Sequence, residues 1–143
     1  MKKNIQQLVK WAKTIDYAEV YSASKSAEIE EYAQQMKAQG YPWSGEFTDF
    51  FLLTNGFFYN GIYIFSLHSN ETAEHLDLSA QNQQWGIADR LPGCILFGRS
   101  DEEVYVYNQP ENKFQVLDLT GWDEYYAFET MADLFEFVMV ERI

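Results

Sequence analysis

Residues 94–118 read CILFGRSDEEVYVYNQPENKFQVLD, and this stretch decides the fold. It holds three short runs of apolar, β-branched and aromatic residues, at 94–97, 104–107 and 114–118, which favour β-strands. Polar turn residues separate the runs, first from Gly98 to Glu103 and then over 108–112, where asparagine and proline occur. Each run is expected to pair back on the one before it. The stretch therefore predicts an antiparallel meander.

Upstream of this meander, residues 57–65 contain two more apolar runs around Asn60-Gly61, the commonest two-residue hairpin signal. Helical patterns come before these strands and after the last one, without regular β-α-β alternation. That order predicts an α+β fold rather than a doubly wound sheet, with a mostly antiparallel sheet of about five or six strands. We expect one domain over 1–143, because the chain contains no linker or repeat and its length is typical of one domain.

The predicted helices are recognised by apolar residues at the 3.6-residue period. Ser26 is expected to cap the second helix and Thr130 the last one. Residues 69–84 fit either a helix capped by Asn70 or an irregular crossover. The four segments with the clear helical period are 3–15, 26–39, 44–54 and 130–139.

The charge of the chain limits the partners it can have. Its 22 Asp and Glu residues exceed its 10 Lys and Arg residues, for a formal charge of −12. Nucleic-acid binding requires basic residues at the phosphates, so the charge favours a basic protein partner instead. No apolar run approaches the roughly 20 residues that a membrane helix needs, and the N-terminus lacks an apolar signal core. We therefore expect a cytoplasmic protein that neither crosses nor binds a membrane.

Residue types that commonly act as nucleophiles or bases are few. The single cysteine, Cys94, excludes an intramolecular disulfide and a multi-cysteine zinc site, and its apolar surroundings predict a structural role. The two histidines, His68 and His75, lie in no recognisable motif. Glu71 and His75, four residues apart, could join Glu74 or Asp77 in a metal site, but a solvated helix face is the favoured interpretation.

Two acidic clusters, Asp101-Glu102-Glu103 and Asp123-Glu124, could supply a general acid and base. Adjacent carboxylates in turns are normally solvated and ionised, whereas catalysis requires a drier group with a shifted pKa. We therefore predict no catalytic residues, no cofactor and no metal. A hydrolase built on these clusters is the least favoured alternative.

Aromatic residues near the acidic turns are the best candidates for a binding surface. The chain has 4 Trp, 10 Tyr and 11 Phe, and Tyr and Trp are enriched at protein interfaces. Two other interpretations stay open: the tyrosines are half-buried strand residues, or an aromatic-rich sheet forms the wall of a small-molecule pocket. The predicted partner interface consists of Asp101, Glu102, Glu103, Tyr105, Tyr107, Trp122, Asp123, Glu124 and Tyr125.

The order of four motifs resembles the SUKH superfamily, named for Syd, a herpesvirus protein group and yeast Knr-type regulators. The motifs are FFLLTNG at 50–56, GIYIF at 61–65, LPGCILFGRSD at 91–101, and VYVY at 104–107. A terminal helix follows them, so the resemblance covers roughly residues 27–140 and leaves the first helix as an extension. The chain departs from the family's usual Leu-Pro-x-x-Tyr, with Tyr41-Pro42-Trp43 and Phe47 in its place, which puts the subfamily rather than the fold in question.

The resemblance implies helices packed on a central, mostly antiparallel sheet, and no enzymatic activity. Many bacterial members of the superfamily look like immunity proteins that neutralise polymorphic toxins, often nucleases or deaminases. Fungal relatives are linked to the regulation of cell-wall glucan synthesis. The resemblance therefore predicts a cognate toxin domain, basic and nuclease-like, as the partner. The alternative it implies is a regulatory or small-molecule-binding domain.

Overall fold

The computed structural model describes residues 4–67 and 76–141 of the chain. Within these ranges, one antiparallel sheet contains seven strands, and their spatial order follows their order in the chain. The predicted α+β class and antiparallel sheet are confirmed, and the two strands missing from the prediction are the first and the last. The strands are β1 (Glu19–Val20), β2 (Phe57–Tyr59), β3 (Ile62–Ile64), β4 (Cys94–Arg99), β5 (Glu103–Asn108), β6 (Lys113–Asp118) and β7 (Glu124–Phe128).

Four of the helices begin after a residue whose side chain accepts a backbone N–H group. Asn4 and Ser44 serve as N-caps in this way, and the predicted cap Thr130 accepts the N–H of Asp133 at 3.0 Å. The prediction for Ser26 is wrong, because Lys25 is the N-cap and Ser26 the first helical residue. The helices are α1 (Ile5–Lys13), α2 (Ser26–Ala38), α3 (Gly45–Phe51), α4 (Leu78–Gln84), α5 (Ile87–Arg90) and α6 (Met131–Glu136), which a π-helical turn (Phe137–Glu141) extends.

None of the helices in the described ranges is long and apolar enough to cross a membrane. The predicted cap Asn70 and the candidate metal ligands Glu71, Glu74 and His75 lie outside the described residues, as does His68. Of the segment 69–84, for which a helix and an irregular crossover were both predicted as possible, the later part forms α4, which is capped by Asp77.

One face of the sheet packs against α3 and α6 through aromatic rings. Phe97 and Phe114 of the sheet lie 5.5 and 6.3 Å, ring centre to ring centre, from Phe47 of α3. Phe135 of α6 lies 6.1 Å from Phe97 and 5.4 Å from Phe50. All five rings are buried. Truncating one such ring to alanine typically costs about 3–5 kcal/mol, so this cluster fixes α3 and α6 on the sheet.

Two buried asparagines take the place of a neighbouring strand. The amide of Asn82 accepts the N–H of Leu96 and donates to its C=O, both at 2.8 Å, where β3 no longer covers the edge of β4. Asn55 makes the same paired contact with Leu67, at 2.9 and 3.0 Å. An unpaired backbone group in the core costs as much as a lost hydrogen bond, so each amide removes that cost from an interrupted edge.

Glycine is required at residue 98, within β4. The prediction placed Gly98 in the turn, but β4 continues to Arg99, and the pairing of β4 with β5 is shifted between Leu96 and Gly98. A Cβ atom at this position would lie only 2.7 Å from the C=O of Tyr63 and 3.0 Å from the ring of Tyr105. The close approach of three strands therefore excludes any larger residue.

Candidate functional site

The turns that carry the predicted acidic residues lie at the same end of the sheet. In an antiparallel meander every second turn falls at the same end, which groups the β2–β3, β4–β5 and β6–β7 turns. The N–H of Leu119 donates to the C=O of Glu102 at 3.0 Å and ties the last two turns together. A cavity of about 290 Å³ lies beside them, lined by the 60–62 and 100–103 segments with Tyr105 and Val138.

Ser100 shapes the β4–β5 turn. Its hydroxyl accepts the N–H groups of Glu103 at 3.1 Å and Glu102 at 3.4 Å, and its own N–H donates to the C=O of Glu103 at 2.8 Å. This compact turn leaves Asp101 and Glu102 exposed and directs Glu103 into a buried position. The local sequence Ser-Asp-Glu-Glu therefore presents two carboxylates to solvent and withdraws the third.

Asp118 shapes the β6–β7 turn in a similar way. Its carboxylate accepts the N–H groups of Thr120 at 3.1 Å and Gly121 at 3.2 Å, and its C=O accepts the N–H of Trp122 at 2.7 Å. Trp122 adopts a left-handed backbone, with φ of 60°, which reverses the chain and leaves Asp123 exposed. The Trp122 ring is half-buried under the Arg90 guanidinium, 4.8 Å from the ring centre.

The two turns place four carboxylates around Tyr125, and we call Glu102, Glu103, Asp118 and Asp123 the acidic corner. The Tyr125 side chain is 54% exposed. The negative charge of Asp118 contributes most to raising the pKa of the Tyr125 phenol. Desolvation and the charges of the other three carboxylates raise it further. The surface at Tyr125 therefore carries a negative potential beside an exposed aromatic ring.

Two predicted interface tyrosines belong to the core instead. Tyr105 is 1% exposed and packs 6.4 Å from Phe97, while Tyr107 is 9% exposed and packs 4.8 Å from Phe114, both between ring centres. The alternation of β5 explains the error: both rings point to the face that α3 and α6 cover, which the sequence of a single strand cannot specify. The alternative interpretation as strand tyrosines fits better, although both residues are buried and not half-buried as expected.

Glu124 also differs from its predicted role. Its carboxylate accepts from the Gln115 amide at 2.7 Å and pairs with the Lys113 ammonium at 2.8 Å. The Gln115 hydrogen bond and then the Lys113 contact lower the pKa of Glu124. Glu124 is therefore engaged with β6 and adds little free negative charge to the surface.

The sequence did not predict the strand that holds Tyr126. Tyr126 is 43% exposed, and its ring lies 4.5 Å from Phe137 in the final π-helical turn. Two adjacent tyrosines after a Gly-Trp turn favour a strand, but an edge strand exposed on both faces lacks the apolar alternation that identifies one. The residue types of this segment therefore favoured a strand, but the segment lacked the alternating pattern by which a strand is recognised.

Cys94 and Asp77 both have structural surroundings in the described ranges. Cys94 is buried, and burial, with the charge of Glu111, raises the pKa of its thiol. Asp77 is engaged in structure, accepting the Ala80 N–H at 2.8 Å and the Tyr32 hydroxyl at 3.1 Å. Among residues 4–67 and 76–141, His, Cys, Asp and Glu side chains form no group of three that could hold a metal ion.

A second cavity, of about 320 Å³, lies on the other side of the β4–β5 turn. Its wall includes Tyr63 and Phe65. Its polar groups come from Gln81, Gln84, Arg99 and Asp101. The Arg99 guanidinium lies 5.4 Å from the ring centre of Trp85, and its Nε donates to the C=O of Ser100 at 3.2 Å. The cavity therefore combines aromatic walls with one positive group, Arg99, and one negative group, Asp101.

No family model matches the chain, and no curated protein is similar to it at a significant level.

Proposed function

We propose that this protein is a non-enzymatic, cytoplasmic binding module of the immunity type, which binds and neutralises a basic toxin domain through the acidic corner. The observation that carries the proposal is the meeting of two turns beside the exposed ring of Tyr125. The Leu119–Glu102 hydrogen bond and the pairing of Glu103 with Asp118 join these turns and gather the acidic corner. Lysine and arginine side chains of a partner can pair with the exposed carboxylates of Glu102 and Asp123 and stack on the phenol ring, while the buried Glu103 adds to the negative potential.

The charge of the whole chain supports the same kind of partner. A nuclease domain binds a polyanion and must present a positive surface, which a protein of formal charge −12 attracts over a distance. Such attraction raises the association rate and weakens as salt is added. The resemblance of the motifs at 50–56, 61–65 and 91–101 to the SUKH superfamily points in the same direction, because many of its bacterial members look like immunity proteins.

The first test is co-purification. The tagged full chain is expressed in its native host and recovered after nuclease treatment, at low and at high salt. We expect one basic protein at a stoichiometric level, weakened by salt, whose toxicity is suppressed when the two are expressed together. Recovery of no partner under conditions where the candidate toxin is present, or a partner with an acidic surface, would contradict the proposal.

Matched variants then locate the contact. The double variant Glu102→Gln, Asp123→Asn removes two charges from the acidic corner and is expected to weaken the complex by about tenfold or more. The control, Glu28→Gln with Glu31→Gln, removes two exposed charges from α2 and should change the affinity by less than about twofold. Equal effects of the two double variants would show that only the net charge matters and would remove the acidic corner as the binding site.

A small-molecule-binding or regulatory domain, of the kind linked to glucan synthesis, is the second candidate. The cavity lined by Tyr63, Phe65, Arg99 and Asp101 supports it, because aromatic walls with a few polar groups are typical of small-molecule sites. Arg99 can pair there with an anionic group of the ligand. A panel of phosphorylated and carboxylated metabolites should then raise the melting temperature of the wild type but not of Arg99→Gln. A panel without any such rise would reject this candidate.

A further inference from the structure

The last strand of the sheet offers a free outer edge. Within the described ranges β7 is the terminal strand, and no strand pairs with the side that faces away from β6. Four of its five residues are exposed and the fifth, Phe128, is half-buried. The opposite edge is formed by β1, which has only two residues. An edge strand presents backbone groups that can pair with another chain, so β7 is the longer of the two available templates.

The hydrogen bonds of the β6–β7 turn show which backbone groups face outward. The N–H of Asp118 donates to Asp123 on the β7 side, while the N–H of Leu119 donates to Glu102 on the β5 side. Backbone groups alternate along a strand, so those of Gln115 also point to β5. Gln115 is opposite Ala127, and the two therefore form a pair without mutual hydrogen bonds. The N–H and C=O of Ala127 point away from the sheet.

Little in the strand itself protects this edge. Proteins commonly block an exposed edge with lysine, proline or a bulge, and β7, with the sequence EYYAF, has neither lysine nor proline. Its one irregularity is at the start, where the register shifts between Val116 and Leu117 of β6. Ala127, which follows the irregularity, keeps regular pairing with Gln115.

The negative charge around β7 determines which kind of chain can pair with its outer edge. Antiparallel pairing with a second copy would bring that copy's Asp123 and Glu129 to the edge that already carries the same two residues. Like charges opposite each other destabilise a sheet, and each copy carries a formal charge of −12. A basic segment would instead bring opposite charges to Asp123, Glu129 and the acidic corner.

We propose that the outer edge of β7 is the docking site for an extended, lysine- or arginine-bearing segment of the partner protein, which joins the sheet as an additional strand. Main-chain hydrogen bonds to Ala127 would supply affinity, and the acidic corner would select basic side chains. This inference rests on the proposed function, because it takes the basic partner from there and adds the mode of binding.

The test uses an end-blocked peptide of alternating lysine and valine, matched in length to β7, at low salt. Ala127→Pro removes the outward N–H without removing a hydrogen bond to β6, and proline is tolerated at edge positions of this kind. Ala127→Val keeps the N–H and is the matched control. We expect protection of the Ala127 amide from hydrogen exchange on peptide binding, and a dissociation constant about tenfold higher for Ala127→Pro but within about twofold for Ala127→Val.

A second form of the probe does not depend on the proline variant's folding. The same peptide with N-methyl groups on alternate amides keeps its charge but cannot pair as a strand, and it should bind at least about tenfold more weakly to the wild type. Equal binding of both peptides, or no binding of either, overturns the edge proposal. In both cases the proposed function is decided separately, by the co-purified partner and its response to the acidic-corner variants. If the peptide pairs with β7 but its affinity responds neither to those variants nor to salt, the proposal of a basic partner is overturned. The proposal that β7 is a docking edge then stands.

Discussion

Replacing Asn82 by alanine is expected to remove a large part of the stability of the fold. The Asn82 side chain is fully buried, and its amide provides the partner for both backbone groups of Leu96. Alanine is a good helix former, so α4 itself should persist. Each buried backbone group left without a partner costs about 1–3 kcal/mol, and two of them predict a loss of about 2–6 kcal/mol. That is a substantial fraction of the roughly 5–15 kcal/mol that stabilises a typical domain.

Urea unfolding followed by the fluorescence of the 4 tryptophans measures this free energy. The control is Gln83→Ala, the next residue of the same helix, which is exposed and whose hydrogen bonds to Gln39 and Ser79 lie at the surface. It should change the free energy of unfolding by less than about 0.5 kcal/mol. A loss below about 1 kcal/mol in Asn82→Ala would refute the reasoning, since it would show that the edge of β4 does not need the amide.

Three further predictions concern the close approach at Gly98, the half-buried carboxylate of Glu46 and the acidic corner. Gly98→Ala should destabilise the fold by about 1–3 kcal/mol in the same urea assay, because the new methyl group would lie 2.7 Å from the C=O of Tyr63. An unchanged midpoint of urea unfolding would show that the strands do not need glycine at this position. Burial raises the pKa of Glu46, only partly offset by the N–H it accepts from α6, so the native state binds its proton more tightly than the unfolded state. As pH rises from the ordinary value of 4.5 through the raised native pKa, the wild type should lose stability relative to Glu46→Gln, and a difference independent of pH would argue against this. The Asp118→Asn substitution should lower the pKa of Tyr125 towards its ordinary value of 10.0, and added salt should do the same in the wild type. Ultraviolet titration of the phenol measures this pKa. An unchanged pKa would mean that the charges of the acidic corner do not act on the ring.

The acidic half of the candidate site could be predicted from sequence, and its aromatic half only in part. Asp101, Glu102 and Asp123 lie in turns rich in polar residues, and such residues are exposed wherever the turn falls. Tyr105 and Tyr107 sit in a strand between apolar neighbours, so their exposure depended on whether a helix covers that face. Tyr125 was assigned to the surface correctly, but the four carboxylates around it come from two turns, and their proximity depends on which strands are neighbours.

Local chemistry determined the elements of this protein. Turn residues and apolar periodicity specified the α+β class, the five central strands, the Asn60-Gly61 hairpin and the Thr130 helix cap, because these features depend on neighbours within a few residues. The acidic balance likewise follows from composition alone. Only the tertiary structure decided which side chains share a surface. The two edge strands, the amide contact of Asn82 with β4 and the acidic corner all join residues that are distant in the chain, and their stability comes from packing and pairing that no local pattern encodes.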